Sequence, residues 1–260
     1  MESEIDPAAR YTRFDRTGLP VTVMAADYTS GHRTHLHRHP NAQLLHAVSG
    51  VMVVNTDSGR WVVPPTRGMW MPADTEHWVR MVGEVHMRTA FVRPDAAPDL
   101  PTRCAVLGIS PLLRELILAA LDIALPYQAD SRDGRLMRLM LDELRTLQAL
   151  PLHLPQPSDP LLKLVCHTLR ETPDDATGAG AWSRRLGIDP RTLHRRFVKA
   201  TGLSFAQWRQ QARLLEALER LASGERVLDI ALALGYSSPT AFATMFKRQF
   251  GLTPSAFFDA

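Results

Sequence analysis

Cysteine is scarce. The 260 residues contain only Cys104 and Cys166, far apart and in no C-x-x-C spacing. That excludes a disulfide framework and fits a reducing cytosol. Long apolar runs are missing too. The most apolar helical candidate, Leu112–Leu125, is interrupted by Arg114, Glu115 and Asp122, so it cannot span a bilayer. The stretch Met1–Asp15 brings in Glu, Asp and Pro early and has no apolar core, which excludes a signal peptide. With 45% apolar residues the chain can still bury a core, and its length suits two domains or one large one. The expectation is a soluble cytoplasmic protein without a membrane partner.

A large charge of one sign is also absent, since the formal net charge is +3. Its distribution is uneven. Between Ala181 and Arg213 stand Arg184, Arg185, Arg191, Arg195, Arg196, Lys199, Arg209 and Arg213 against Asp189 alone, a local excess of +7. A basic face of that size is what neutralising nucleic-acid phosphates requires.

The stretch Leu232–Phe258 reads as two short helices around a tight turn, a helix-turn-helix. Gly235 suits a left-handed helix end, Ser237 or Ser238 supplies an N-cap oxygen, and Pro239 fits the first helical position. Phe242, Met245, Phe246 and Phe250 recur at three- and four-residue spacing and form one apolar stripe. Gly251 closes the helix, and Thr253-Pro254 begins another. The pattern Ala233, Gly235-Tyr236-Ser237, Phe242, Phe246-Lys247, Phe250-Gly251 and Thr253-Pro254 closely resembles the signature of AraC/XylS-type transcription regulators. One departure is the end, where the family has an aromatic-Arg pair and this chain has Phe257-Phe258.

A second copy of the unit lies upstream. Ala181–Leu186, Gly187-Ile188, Asp189 as N-cap, Pro190 and Arg191–Thr201 spell another helix-turn-helix. Sliding by 49 residues aligns Phe197 with Phe246, Gly202 with Gly251, Leu203 with Leu252 and Trp208 with Phe257, with one indel in the turn. The helix Phe205–Ala222 would join the two units. Held about one helical turn of DNA apart, roughly 34 Å, they would enter successive major grooves. Exposed positions early in each reading helix meet base edges, and flanking basic residues meet phosphates. In the first unit these are Arg191, Thr192, His194 and Arg195, with Arg196 and Lys199 on phosphates. Leu193 and Phe197 face the core. In the second they are Pro239, Thr240, Ala243 and Thr244, with Lys247 and Arg248 positioning. An arginine can fork onto guanine and small uncharged residues cannot, so the first unit should set most base specificity.

Upstream, residues 1–106 read as β structure, with strand-like runs Val21–Tyr28, Ala42–Val48, Val51–Asn55, Gly59–Val63, Met69–Met71, Trp78–Met81 and His86–Phe91 between turn signals. Many short strands suggest a small barrel or sandwich. The segment Gly31 to Gln43 with Ser49-Gly50, followed by Gly68 and Pro72 to His77, resembles the two halves of the cupin signature, which implies a jelly-roll barrel. Where metal-bearing cupins carry Glu this chain has Gln43. In a strand, His37, His39 and Gln43 share a face, and His77 on a neighbouring strand can join them. Imidazoles with an oxygen ligand suit a divalent transition metal. An organic effector pocket and purely structural histidines are the alternatives. His46 has the opposite parity and faces outward or toward a packed helix. His32 and His35 are loop residues, and Trp61, Trp70 and Trp78 fill core or interface.

From Pro111 the apolar period changes to that of helices, over Leu112–Leu125 and Arg135–Leu150, which either cap the barrel or make a dimer interface. Pro151, Pro155, Pro157 and Pro160 mark a semi-rigid linker. The expected organisation is therefore multi-domain: a cupin-like all-β sensor barrel (1–106), a helical dimerisation or connecting segment (107–150), a linker (151–160) and an all-α double helix-turn-helix domain (161–260). The expected function is a non-enzymatic, sequence-specific transcription regulator that acts on promoter DNA and senses a small molecule or metal. It would be a homodimer, and would meet RNA polymerase if it activates. The competing readings are a metal-dependent cupin enzyme with an accessory DNA-binding domain, and a constitutive DNA-binding protein whose barrel only dimerises.

Overall fold

The computed structural model describes residues 11, 14–65, 67–150 and 152–257. Pro151 of the proline-rich stretch, Phe258 of the terminal pair and most of Met1–Asp15 lie outside the described residues. The chain forms two compact units, Met1–Val54 with Val63–Pro151, and Asn55–Val62 with Leu152–Ala260.

The seven expected strands appear as β1 (Val21–Tyr28), β2 (Ala42–Ala47), β3 (Val51–Thr56), β4 (Gly59–Val63), β5 (Arg67–Met71), β6 (Trp78–Val82) and β7 (Val85–Val92). Bounds differ from the apolar runs by one or two residues, because ladder pairing carries a strand beyond its hydrophobic stretch. Two strands carry too short a pattern to be recognised in sequence, β8 (Ala105–Gly108) and β9 (Ala149–Leu150). The larger sheet is antiparallel with order β1-β7-β2-β5-β8-β9, while β4-β3-β6 run together in a second sheet.

Helices α1 (Pro111–Ala120) and α2 (Arg132–Arg145) lie against one face of the larger sheet. Ser110 and Ser131 cap them, each hydroxyl accepting the amide N–H three residues on. Leu44, Trp70, Ala90 and Val92 of the sheet pack with Leu113, Ile117, Met140 and Leu144 of the helices. Each large side chain buried there contributes about 1.5–3 kcal/mol. The helical periodicity thus caps the sheet, and Leu112 and Leu139 remain exposed. The second helix ends at Arg145 rather than Leu150. Val106 and Leu107 of β8 pair with Leu150 and Ala149, so the last apolar residues join the sheet. The opposite sheet face carries Gln43, Leu45, Met69, Met71, Thr89 and Phe91, all buried. That alternation is the period-two rule at work.

In the second unit, β10 (His153–Pro155) pairs antiparallel with Gly59–Trp61 at the β3–β4 hairpin tip. The middle of the expected proline-rich linker is therefore strand. A residue before proline avoids the helical region, which pre-sets Leu154 for that role. Helices α3 (Pro160–Glu171), α4 (Ala179–Leu186), α5 (Pro190–Thr201), α6 (Phe205–Ala222), α7 (Val227–Ala233) and α8 (Pro239–Phe250) follow. Helix α6 packs against α3, α5, α7 and β10. Its Trp208 is fully buried and donates its indole N–H to Pro155 O at 2.9 Å. Glu219, also on α6, is nearly buried and pairs with Arg60. Trp61 stacks on His153 at 4.4 Å, and Trp70 donates to Pro101 O, so these rings serve packing as expected. No helix among the described residues is long and apolar enough to cross a membrane.

His46 is buried on β2, its Nδ1–H donates to Arg67 O, and its Nε2 has no hydrogen-bond partner among the described residues. Burial pulls its pKa below the usual 6.5, and the nearby Arg114 and Arg88 add to the shift. The native state therefore holds His46 neutral, while the unfolded chain protonates it below about pH 6.5. This contribution is fully present above that pH and lost as pH falls. In thermal or urea unfolding between pH 7 and 5, His46→Leu should lose stability with falling pH less steeply than the wild type. The difference is at most one proton's slope, about 1.4 kcal/mol per pH unit. Parallel curves would remove His46 from the acid response.

Candidate nucleic-acid interface and candidate metal centre

The two halves of the second unit repeat one plan. Helix α4 ends at Gly187 in the left-handed region (φ 65°), and the Asp189 carboxylate accepts from Arg191 N and Thr192 N at 2.8 and 3.3 Å. Pro190 then opens α5, which Gly202 closes at φ 72°. Helix α7 is followed by Gly235 at φ 72°, Ser238 Oγ accepts from Ala241 N at 3.1 Å, Pro239 opens α8, and Gly251 closes it at φ 80°. Of the two serines considered as cap, Ser238 takes the role. The cores repeat as well. Phe197 meets Trp208 edge-on at 6.1 Å and 79°, and Phe246 meets Phe257 edge-on at 5.3 Å and 89°. These are the pairs that the 49-residue offset aligns.

Fixing the buried stripe decides what faces solvent. Leu193 and Phe197 are buried on α5, while Arg191, His194, Arg195, Arg196 and Lys199 are exposed and Thr192 is partly so. On α8, Phe242 and Phe246 are buried, Thr240, Thr244, Lys247 and Arg248 are exposed, and Pro239 and Ala243 are half-buried. Ser238, Thr240, Ala241, Thr244, Met245 and Arg248 line one surface depression. Met245 and Phe250, read as part of the buried stripe, are only half-buried.

Two arginines of the basic run have another job. Arg213 Nε donates to Pro173 O at 2.7 Å, and Arg209 reaches Thr177 O and Asp175 O at 3.3 and 3.5 Å. Both stand on α6 and grip the loop before α4. Burial holds the Arg213 pKa below its ordinary value. Sequence counting could not separate them from the others, because their carbonyl partners lie more than 30 residues away. Arg196 has a partner in Asp159, the N-cap of α3, at 3.6 Å. Such a half-exposed pair is worth about 0–1 kcal/mol, so a phosphate can displace the carboxylate.

Gly235 explains part of the motif. A Cβ there would stand 2.9 Å from Asp174 Cα and 3.0 Å from Asp174 O, in the same gripped loop, whereas Gly251 has nothing within 4 Å. Both glycines have positive φ, which costs an L-residue about 1–2 kcal/mol. Gly235→Ala should therefore destabilise the second unit by more than Gly251→Ala does, as read by urea unfolding. Equal costs would show that the close approach to Asp174 does not matter.

In the first unit three imidazoles converge. His37 and His77 form an isolated bridge, with His37 N donating to His77 O at 3.0 Å and His77 N to His37 O at 2.9 Å. His39 lies in the loop before β2, so the expectation of His37, His39 and Gln43 on one continuous strand is corrected. Ring centroids stand 4.3 Å apart for His37–His77, 5.0 Å for His37–His39 and 5.6 Å for His39–His77. One ligand atom from each lies within 4.8 Å of the others.

The orientation of each ring follows from its Nδ1. His37 and His77 meet the backbone oxygen two residues back, His35 O at 2.7 Å and Thr75 O at 2.8 Å. His39 meets the Asp15 carboxylate at 3.1 Å. Oxygen accepts, so each Nδ1 carries a proton and Nε2 is the nitrogen left to meet another group. His39 Nε2 is buried without a hydrogen-bond partner among the described residues, a state that costs about 1–3 kcal/mol if nothing fills it. Burial pulls His77 down to about 3 and lowers His37 as well, so both are neutral at physiological pH. Neutral imidazoles whose other nitrogen is held by oxygen form a donor set that fits a divalent transition metal.

Gln43 stands beside this cluster, opposite Phe91, whose ring lies 5.1 Å from His39. Its amide nitrogen donates to Thr89 Oγ1 at 3.0 Å, and its buried oxygen has no hydrogen-bond partner among the described residues. Asp15 and Tyr11 went unrecognised in the sequence. Asn41 Nδ2 donates to Asp15 O, and the Tyr11 ring stacks 5.7 Å from His37. No spacing rule links Asp15 to His39 across 24 residues.

Residues 19–151 match the model described as an AraC-like ligand binding domain, and residues 182–260 match a helix-turn-helix domain. The chain is 36% identical over 222 residues to the HTH-type transcriptional regulator NimR of Escherichia coli K12, covering 85% of this chain and 81% of that protein. It is 32% identical over 103 residues to the HTH-type transcriptional regulator RipA of Corynebacterium glutamicum, covering 40% of this chain and 31% of that one. Among solved structures, ToxT from Vibrio cholerae aligns over 93% of this chain and 98% of its own at 8% identity and a TM-score of 0.39.

Proposed function

The chain belongs to the AraC family of transcription regulators, with an N-terminal ligand-binding domain and a DNA-binding helix-turn-helix domain, and from that premise we propose how it reads DNA. Helix α5 reads base edges through Arg191, Thr192, His194 and Arg195, and Arg196 and Lys199 hold phosphates. Helix α8 contributes small contacts through Pro239, Thr240, Ala243 and Thr244, and Lys247 and Arg248 position it. The supporting observation is the contrast at the start of the two reading helices. Behind filled caps of the same design, one presents long cationic side chains and the other presents short uncharged ones. Only the former can make the bidentate guanine contact, worth about 1–3 kcal/mol of discrimination.

In this reading residues 1–106 hold the effector, 107–150 connect and dimerise, 151–160 link, and 161–260 bind promoter DNA in the cytoplasm. The regulator works as a homodimer, and an activating role would add contact with RNA polymerase. Against the enzymatic alternative stand the regulator relatives and Gln43, whose amide cannot act as a base.

Duplexes selected from a random pool by the full chain supply a test site. On single-base variants of it, Arg195→Ala should lose about 1–3 kcal/mol of affinity on the cognate sequence and much of the preference at one position. An equal loss on every sequence would rule out base reading by Arg195.

Arg196→Ala should lower the slope of log K against log salt by about 0.9, the contribution of one phosphate contact. An unchanged slope would mean that Arg196 serves only its pair with Asp159.

A further inference from the structure

We propose that Arg213 is a positioning residue that holds the two helix-turn-helix halves at one fixed separation, so that the chain selects the spacing of two DNA segments as well as their bases. This deepens the DNA-reading part of the proposed function and rests on that reading. Three contacts meet at one guanidinium. Arg213 rises from near the middle of α6, which packs against both α5 and α7. Its Nε donates to Pro173 O at 2.7 Å and its Nη2 to Asp175 O at 3.5 Å, both in the loop that leads into α4. Its Cζ lies over the Tyr236 ring, 5.8 Å from the centroid, in the turn that leads into α8.

Each arm of this joint continues to a reading helix. On one side Asp175 Oδ1 accepts from Thr177 N at 2.7 Å, and Gly178 opens α4, whose left-handed end at Gly187 turns the chain toward α5. On the other, Tyr236 N donates to Ala231 O at 2.9 Å, which ties the turn to α7. The Tyr236 ring also lies 5.4 Å from that of Phe242, buried on α8. Gly235 leaves room for the joint to close. A Cβ there would stand 2.9 Å from Asp174 Cα and 3.1 Å from Arg213 Nη2. The turn of the second half thus rests on the loop of the first and on the side chain that holds that loop.

A planar guanidinium suits the place, since its edge can serve two carbonyls while its face meets a ring. Arg209, one helical turn earlier, reaches Asp175 O and Thr177 O and lies over the Phe205 ring. Those partners lie on the side of the first half, so Arg209 grips the loop, whereas Arg213 joins the loop to the turn. On DNA the distinction is readable. One added base pair moves a contact segment about 3.4 Å along the axis and about 34–36° around it. Two reading helices fixed to one another cannot follow that displacement, and two that pivot can.

The test is binding of the untagged full chain to the duplex it selects from a random pool, with hydroxyl-radical footprinting to locate the two contacted segments. The same duplex is then measured with one base pair inserted or removed between them. The wild type should bind the altered spacings about 10-fold more weakly, as for a mismatched base pair, and Arg213→Ala should cut that penalty to about 3-fold or less. Base preference within each segment should stay. Tyr236→Leu, which cuts the other arm, should relax spacing in the same way. Arg213→Lys, which keeps the charge without the fork, should recover part of the wild-type penalty. Arg209→Ala should keep that penalty in full. A merely structural role would lower affinity at every spacing alike and leave the ratio unmoved. Circular dichroism identifies any variant that fails to fold, and Tyr236→Leu keeps the result decisive if Arg213→Ala does not fold. An unchanged penalty in folded Arg213→Ala or in folded Tyr236→Leu overturns the joint, as does Arg209→Ala relaxing spacing as much as Arg213→Ala. A wild type that selects a sequence but tolerates the insertion refutes this inference and leaves base reading by α5 standing. A wild type that selects no sequence refutes that reading, and this inference with it.

Discussion

Helices α5 and α8 are each set in place by one aromatic ring pressed edge-on against another, Phe197 on Trp208 and Phe246 on Phe257. Such pairs contribute about 0.5–1.5 kcal/mol beyond the area they bury. Their larger effect is geometric. Once Phe197 and Leu193 point inward, the 3.6-residue period leaves Arg191, His194 and Arg195 outside and near the start of the helix. Trp208 also donates to Pro155 O, so the ring that seats α5 is itself tied to the strand preceding the helices. The left-handed glycines and filled caps at both ends of α5 and α8 then satisfy the backbone groups without using the side chains that face solvent.

The arginines of the second unit divide by what they touch. Arg209 and Arg213 satisfy backbone carbonyls of the loop before α4, and that loop meets Gly235 at the turn of the other half. Arg60 pairs with Glu219 on α6. Arg191 and Arg195 remain exposed beyond the Asp189 cap. Charge that counts as one basic run along the chain is thus spent partly on holding a loop and partly on presenting a surface. The first group would resist screening by salt, since its partners are close and partly buried, while the second would respond to it.

In the first unit the sheet that carries Gln43, Thr89 and Phe91 on its inner face is covered on the outer one by α1 and α2. That cover lets β2 be buried along its whole length, which no alternating strand could be with one face in water. His46, on the outer face of the same strand, pays for this arrangement by being held neutral. The histidine cluster uses a local device twice, an Nδ1–H to the carbonyl two residues back, and a long-range one once, through Asp15.

What the chain's order determined by itself has a short-range cause. The seven strands, both helix-turn-helix units, the cap at Asp189, the span of α6 and the 49-residue repeat follow from periods of 2 and 3.6 and from turn chemistry within a few residues. The buried pair Leu193 and Phe197 and the exposure of Arg191 and Arg195 were legible for the same reason. Bounds that depend on a remote partner were not. Leu150 left its helix for β8, His153–Pro155 left the linker for the β3–β4 hairpin tip, and both moves satisfy backbone groups that no local pattern records. Tertiary structure alone decided which arginines grip a loop, that Asp15 holds His39, and that His37 and His77 meet through a single bridge. Each joins residues 24 or more positions apart, and a side chain's partner at that distance is set by the packing of the intervening chain.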